Sequence, residues 1–158
     1  MTQTATKSTE LTTTVDGALV RGTATEVAIT AGAHEFTIDE PDALGGTDKG
    51  ANPIEHLLAA LASCTVISYQ VWAGKLDLTL DGVDVELKGD IDLAGFFGTE
   101  QGVRPGFQGI ELGVRLSGPE SEGDYRRLEE AVATHCPVLD NLTNGVPVRT
   151  TVEVPTAA

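Results

Sequence analysis

Apolar and polar positions alternate over residues 83–93, with Val83, Val85, Leu87, Gly89, Ile91 and Leu93 on one side and Asp84, Glu86, Lys88, Asp90 and Asp92 on the other. A period of two predicts a long strand with one face buried. Ile110, Leu112, Val114 and Leu116 repeat it and predict a second. Between them, residues 95–109 carry Phe96, Phe97, Pro105 and Phe107 in a Gly-rich connection with no readable period. Nearer the N-terminus the runs are shorter. Asp16-Gly17 predicts a two-residue hairpin turn, and Val27, Ile29, Phe36 and Ile38 alternate around a turn at Gly32, so an antiparallel meander is expected. Val148, Val152 and Val154 predict a closing strand, and the polar, Thr-rich residues 1–10 a disordered tail before a single domain over 11–158.

The helices read differently. Residues 40–53 collect Gly, Pro, Asp and Asn, which predicts a loop. Asn52, Pro53 and Glu55 then fit the N-cap, first and third positions of a helix running to about Ala73, with Gly74 as its stop. Ile54, Leu57, Leu58, Leu61, Val66, Ile67, Val71 and Trp72 cover most azimuths of that segment, and no charge follows Glu55 within it. Such a helix, about 30 Å long, is predicted to be central and buried. A capping sequence at Ser121 opens a second, amphipathic helix with Tyr125, Leu128 and Val132 on one face, ending near His135. Pro137 breaks it, and residues 137–143 predict a further short helical turn.

The fold class expected is α+β, with six or seven strands in antiparallel sheets around the long buried helix. One sheet covers only one side of a helix. The all-round apolarity therefore predicts a second layer, most simply an intertwined homodimer.

Composition agrees with one globular domain: 158 residues, 41% hydrophobic and 22% charged. Twenty-four acids against ten Lys and Arg give a net charge of −14, a field that repels phosphate backbones and anionic lipid, so neither nucleic acid nor membrane is an expected partner. With no signal-like apolar segment near the N-terminus and no unbroken apolar run of about 20 residues, the expected compartment is the cytoplasm. In that compartment Cys64 and Cys136, 72 residues apart, are expected as reduced, catalytic or reversibly paired thiols rather than a structural disulfide.

Cys64 lies mid-helix in Ala-Leu-Ala-Ser-Cys-Thr, where desolvation raises a thiol pKa. Without a nearby cation it is a small core hydrophobe. Cys136 precedes Pro137 and fits a helix N-cap, whose free amides favour a thiolate, so physical chemistry alone makes Cys136 the more acidic thiol. His34, His56 and His135 show no metal-ligand spacing, and no metal or cofactor is expected. Gly45-Gly46-Thr47-Asp48-Lys49-Gly50 fails as a phosphate loop because its Lys precedes the last Gly and Asp48 has the wrong sign. No Gly-x-Ser-x-Gly elbow occurs. What remains is dithiol chemistry with an activating cation. The Arg candidates are Arg21, Arg104, Arg115, Arg126, Arg127 and Arg149; Arg126 and Arg127 are assigned to the solvated face of the second helix.

The stretch FTIDEPDALGGTDKGANPIEHLLAALASCT (36–65), together with HCPVLD (135–140), resembles the osmotically inducible protein C (OsmC) and organic hydroperoxide resistance (Ohr) family. The specific combination is a Gly-rich loop, Asn-Pro opening a helix, Cys twelve residues after that Asn, and a distant Cys-Pro. The similarity extends over nearly the whole chain after the first ten residues.

The resemblance implies an intertwined α+β homodimer that reduces organic hydroperoxides, with Cys64 as the peroxidatic thiol and Cys136 as the resolving one, reset by an external dithiol of lipoyl type in some members. It also implies an Arg on an N-terminal strand beside the first thiol, a place that Arg21 fits, assisted by a carboxylate at the helix start. Here the sequence departs from the hydroperoxide-resistance branch: Ile54 follows the Pro and Glu55 comes one place later. Nine residues from Glu55 to Cys64 turn a helix through a net half circle, so Glu55 serves either that site or only as a cap. The departure places the chain nearer the OsmC-like branch. Apolar walls from the long helix and from Phe96, Phe97 and Phe107 would favour bulky alkyl hydroperoxides. A non-catalytic, redox-sensing dimer and a thiol-dependent transferase or hydrolase remain as alternatives.

Overall fold

The computed structural model describes residues 9–155; most of the expected N-terminal tail, residues 1–8, lies outside them. The described chain forms two compact units, one ending at His56 and one beginning at Leu57.

The first unit is a three-stranded antiparallel meander of β1 (Val15–Leu19), β2 (Val27–Ala31) and β3 (His34–Ile38), in the order β1-β2-β3. Asp16-Gly17 is not its first turn. Both residues lie inside β1, opposite Thr30 and Ile29. The chain reverses instead at residues 20–26, where Gly22 takes a φ of 85° that a side chain would disfavour. The turn at Gly32, φ 61°, is where the sequence predicts it. Beyond β3 the loop is organised by Asp39, which is only 1% exposed. Its carboxylate accepts hydrogen bonds from the Thr25 and Thr47 hydroxyls and from the backbone amides of Glu40, Thr47 and Lys49. A single-turn 3₁₀ helix, Asp42–Leu44, follows, and Gly46 packs so closely on the Glu40 carbonyl that no Cβ fits there.

The long helix is α1 (Pro53–Lys75), two residues longer than expected. Gly74 lies inside it; the chain leaves the helix at Asp77, which takes the left-handed conformation (φ 55°), and the Leu78 amide closes onto the Ala73 carbonyl.

In the second unit β4 (Gly82–Ile91) and β5 (Phe107–Ser117) form an antiparallel ribbon pairing Val85 with Val114 and Leu87 with Leu112. The strand pattern read through Leu93 stops two residues early. Asp92 accepts from the Ala94 amide and caps α2 (Leu93–Phe97), which occupies the connection that carried no readable period. Then come α3 (Glu122–His135), capped by Ser121, and α4 (Pro137–Asn144), with Cys136 ending one helix and starting the next. The core of this unit joins Tyr69 and Ala73 of α1 to Leu128 and Val132 of α3, with Val83, Val114 and Leu116 of the ribbon packed against them.

Two further expectations fail. The described residues hold five strands rather than six or seven, because Val148, Val152 and Val154 lie in irregular chain and are exposed (Val148, 85%) with no strand to pair with. Nor is α1 buried all round: Leu61, Thr65, Ser68, Tyr69 and Ala73 are covered, whereas Ile67 and Val71 are 61% and 50% exposed. By length and mean hydropathy alone α1 would suffice to span a bilayer, although its apolar run is broken by His56, Ser63, Thr65, Ser68 and Gln70, as read from the sequence. Such a pattern is shared by the core helices of soluble proteins, and one face of α1 is occupied by α3.

Candidate active site: a thiol pair between α1 and α4

Cys64 and Cys136 meet in the second unit. Their sulfurs are 3.4 Å apart, with the Cys136 thiol donating to the Cys64 sulfur in the neutral pair. Neither is in a disulfide. Two local features produce the meeting. The helical repeat of α1 carries Cys64 on the same side as Leu61, Thr65 and Ser68. Pro137, which has no amide hydrogen to lose and disfavours helix in the residue before it, fixes Cys136 in an extended conformation (φ −76°, ψ 112°) at the junction of α3 and α4.

The two thiols have different surroundings. Cys64 is half-buried, whereas Cys136 is 1% exposed. Burial pushes the Cys64 thiol up, and the neighbouring Cys136 sulfur adds to the rise; the Val138 amide and Ser68 hydroxyl oppose it without cancelling it. At Cys136 burial also pushes upward, but the nearby Leu139 amide, the Cys64 thiol and the Ser68 and Thr65 hydroxyls outweigh it and bring the thiol below the usual cysteine range.

Beside the thiols lies a cavity of about 410 Å³, lined by Leu57 and Leu61 of α1, Phe107, Ile110 and Leu112 of β5, and Leu139, Leu142 and Thr143 of α4. Leu61 sits one turn before Cys64 and Leu139 three residues after Cys136. Of the three aromatic residues expected in an apolar wall, only Phe107 lines it; Phe96 and Phe97 are exposed and meet each other edge to face at 5.1 Å. Arg104 is the one guanidinium on the cavity's lining. His135 packs against Trp72 with the rings tilted by 37° and their centroids 4.2 Å apart, and the Lys75 ammonium lies 4.1 Å from the same indole.

The other expected site residues belong to the first unit. Arg21 lies in the turn between β1 and β2, not on a strand. Glu55 accepts a hydrogen bond from the Asn52 amide at 2.8 Å while Asn52 accepts one from the Glu55 amide at 2.9 Å, a reciprocal cap at the start of α1.

Residues 46–151 match the family model described as OsmC-like protein. The chain belongs to the OsmC-like family. The match begins inside the Gly-rich loop, ten residues after the start of the first stretch quoted above, and includes both cysteines. Solved OsmC-like structures share the fold. One from Mycoplasma pneumoniae superposes with a TM-score of 0.72 at 21% identity, covering 87% of this chain and 90% of that one. An organic hydroperoxide resistance protein OsmC from Legionella pneumophila gives 0.64 at 20% identity, covering 87% and 92%. An organic hydroperoxide resistance protein from Elizabethkingia anophelis gives 0.63 at 19%, covering 88% and 93%. No curated protein matches the chain by sequence.

Thr65 and Ser68 were not singled out by the sequence reading, although their signal was present: Ser68 is one helical turn beyond Cys64, on the same face. Asp39 carried no such signal, since five donors from four residues, Thr25 in the first turn and Glu40, Thr47 and Lys49 in the loop, converge on it only in three dimensions.

Proposed function

We propose that this OsmC-like protein is a thiol-dependent peroxidase that reduces organic hydroperoxides through Cys64 and Cys136. The observation that carries this reading is the 3.4 Å separation of the two sulfurs, one half-buried and the other enclosed. Two similar solved structures are named as organic hydroperoxide resistance proteins, which supports it.

In the proposed cycle the Cys64 thiolate attacks the distal peroxide oxygen. The O–O bond breaks, the alcohol leaves with a proton, and Cys64 becomes a sulfenic acid. Cys136 then attacks the Cys64 sulfur and expels hydroxide, leaving a disulfide. An external dithiol, of lipoyl type in this reading, returns both thiols to the reduced state while forming its own disulfide. Arg21 is proposed as the cation that offsets the burial penalty at Cys64, and Glu55 chiefly as the cap of α1. The functional unit is proposed to be a homodimer in which a second copy covers Ile67 and Val71.

The test is turnover of cumene or t-butyl hydroperoxide in the presence of a dithiol. The parent is expected to turn over, with Cys64→Ser reduced to background and Arg21→Ala at least about tenfold slower, the effect of raising the reacting thiol's pKa by one unit. Equal, low rates for the parent and Cys64→Ser would overturn the reading.

A further inference from the structure

A second cavity, of about 390 Å³, lies between α1, α3 and β5, and neither cysteine lines it. Two periods make its walls. The alternation of β5 puts Leu112, Val114 and Leu116 on one face as an apolar floor, and the helical repeat of α3 puts Glu122, Arg126 and Glu129 on one side as a charged rim. Tyr69 of α1 completes the lining. It is only 4% exposed, yet its hydroxyl makes no hydrogen bond among the described residues, whereas a buried tyrosine hydroxyl ordinarily finds a partner. The Tyr125 hydroxyl nearby is already committed: it donates to the Thr79 carbonyl at 3.0 Å and accepts from the Glu120 amide at 3.3 Å. Nor is the Tyr69 hydroxyl walled in like that of Thr65, the sealed side-chain polar atom that lacks a partner among the described residues. It keeps contact with open space, and the space that Tyr69 lines is this cavity.

The rim decides what can answer that hydroxyl. Arg126 donates to Glu129 Oε2 at 2.9 Å and lies 3.7 Å from Glu122 Oε1, so two carboxylates share one guanidinium and one negative charge is left over. Burial first, and the Glu129 charge second, push the pKa of the Tyr69 hydroxyl up; the group stays neutral, with a carboxylate in electrostatic reach across the cavity. A group that suits both offers protons to a hydroxyl oxygen and to a carboxylate, carries positive charge and is joined to an apolar body that covers the floor. An anion is repelled by the rim, and a neutral alcohol leaves the excess charge unanswered. We propose that this cavity binds a small organic ammonium, a primary alkylamine whose head lies between the Tyr69 hydroxyl and the Glu129 carboxylate and whose hydrocarbon chain lies on Leu112, Val114 and Leu116. The volume is in the range of small-molecule pockets, and the net charge of −14 enriches such a cation around the molecule. No thiol takes part and no covalent bond changes, so the site stands apart from the peroxidase reading.

The test is calorimetric titration of the full reduced chain with n-hexylammonium chloride. Saturable binding at one site per chain is expected, with 1-hexanol at least about tenfold weaker, as for loss of a charge-assisted hydrogen bond, and hexanoate not bound. Tyr69→Phe should weaken hexylammonium binding by roughly tenfold, since it removes a hydrogen bond to a charged group, and Glu129→Gln by roughly threefold, the scale of an exposed charge pair. Because the Tyr69 hydroxyl has no partner in the protein, Tyr69→Phe should keep the urea midpoint of the parent, which separates a lost ligand contact from a damaged fold. A lowered midpoint would show that the protein itself uses the hydroxyl and would contradict the assignment. Glu129→Gln changes only the exposed side of α3 and reads the same site with the core intact. No saturable binding of hexylammonium, equal affinity for 1-hexanol, or unchanged affinity in either variant would overturn the proposal.

Discussion

At the scale of single residues, the thiol pair shows how environment reverses a simple ranking. Burial alone would raise both thiols, yet Cys136, the more enclosed, is brought below the usual cysteine range by the polar groups around it while Cys64 is pushed up. Asp39 is a second case of the same physics. The Thr25 hydroxyl is the largest influence holding its carboxyl well below the usual carboxylate range; burial opposes it, and the Thr47 hydroxyl and amide and the Glu40 amide add to it. A carboxyl whose folded-state pKa is depressed contributes stability that is present above the unfolded value and is lost as pH falls toward the folded one. The first unit should therefore lose stability in acid below the ordinary carboxylate range. Asp39→Asn should be less stable at neutral pH and show a flatter acid limb when urea midpoints are measured against pH; an unchanged limb would contradict the role given to Asp39.

At the scale of elements, α1 and α3 are joined through a small set of side chains, of which Leu128 is completely enclosed. Leu128→Ala should cost about 2–5 kcal/mol in urea denaturation, the range for truncating a buried leucine. The cap of α1 is more modest: Asn52→Ala should lower stability by about 1 kcal/mol, and less in a chain already carrying Glu55→Ala, since the two share one reciprocal cap. The elements that were legible in the sequence are those fixed by local pattern. The alternation at Val83–Ile91 and Ile110–Leu116, the Asn-Pro start of α1 and the Ser121 cap of α3 each carry their own signal, and each formed as read. What local pattern missed depended on distant partners. Asp16-Gly17 has turn chemistry but pairs with Ile29 and Thr30 as strand; Asp92 became a cap once β4 had ended; Val148–Val154 has strand spacing but no neighbour. The candidate site was legible as two sulfurs; their meeting was not, because residues 72 positions apart are brought within 3.4 Å only by the packing of distant elements.

At the scale of the whole molecule, the exposed apolar residues Ile67 and Val71 on a 23-residue helix and the unpaired C-terminal valines are surfaces that one copy of the chain does not cover. A net charge of −14 keeps copies apart unless apolar burial compensates, so association should strengthen with salt as screening grows. Sedimentation is expected to give twice the chain mass, and Ile67→Lys should shift the population to the single chain. A parent that stays monomeric at all protein concentrations and salt levels would remove the dimer from this account without touching the thiol pair.

The pairing of the two sulfurs as reaction partners is tested most directly by treating the reduced protein with less than one equivalent of cumene hydroperoxide and measuring its mass and its peptide map. The account predicts a product lighter by two hydrogen atoms, with Cys64 linked to Cys136 in the same chain. Two free thiols after the peroxide is consumed, or oxygen retained on Cys64 with Cys136 still reduced, would contradict it.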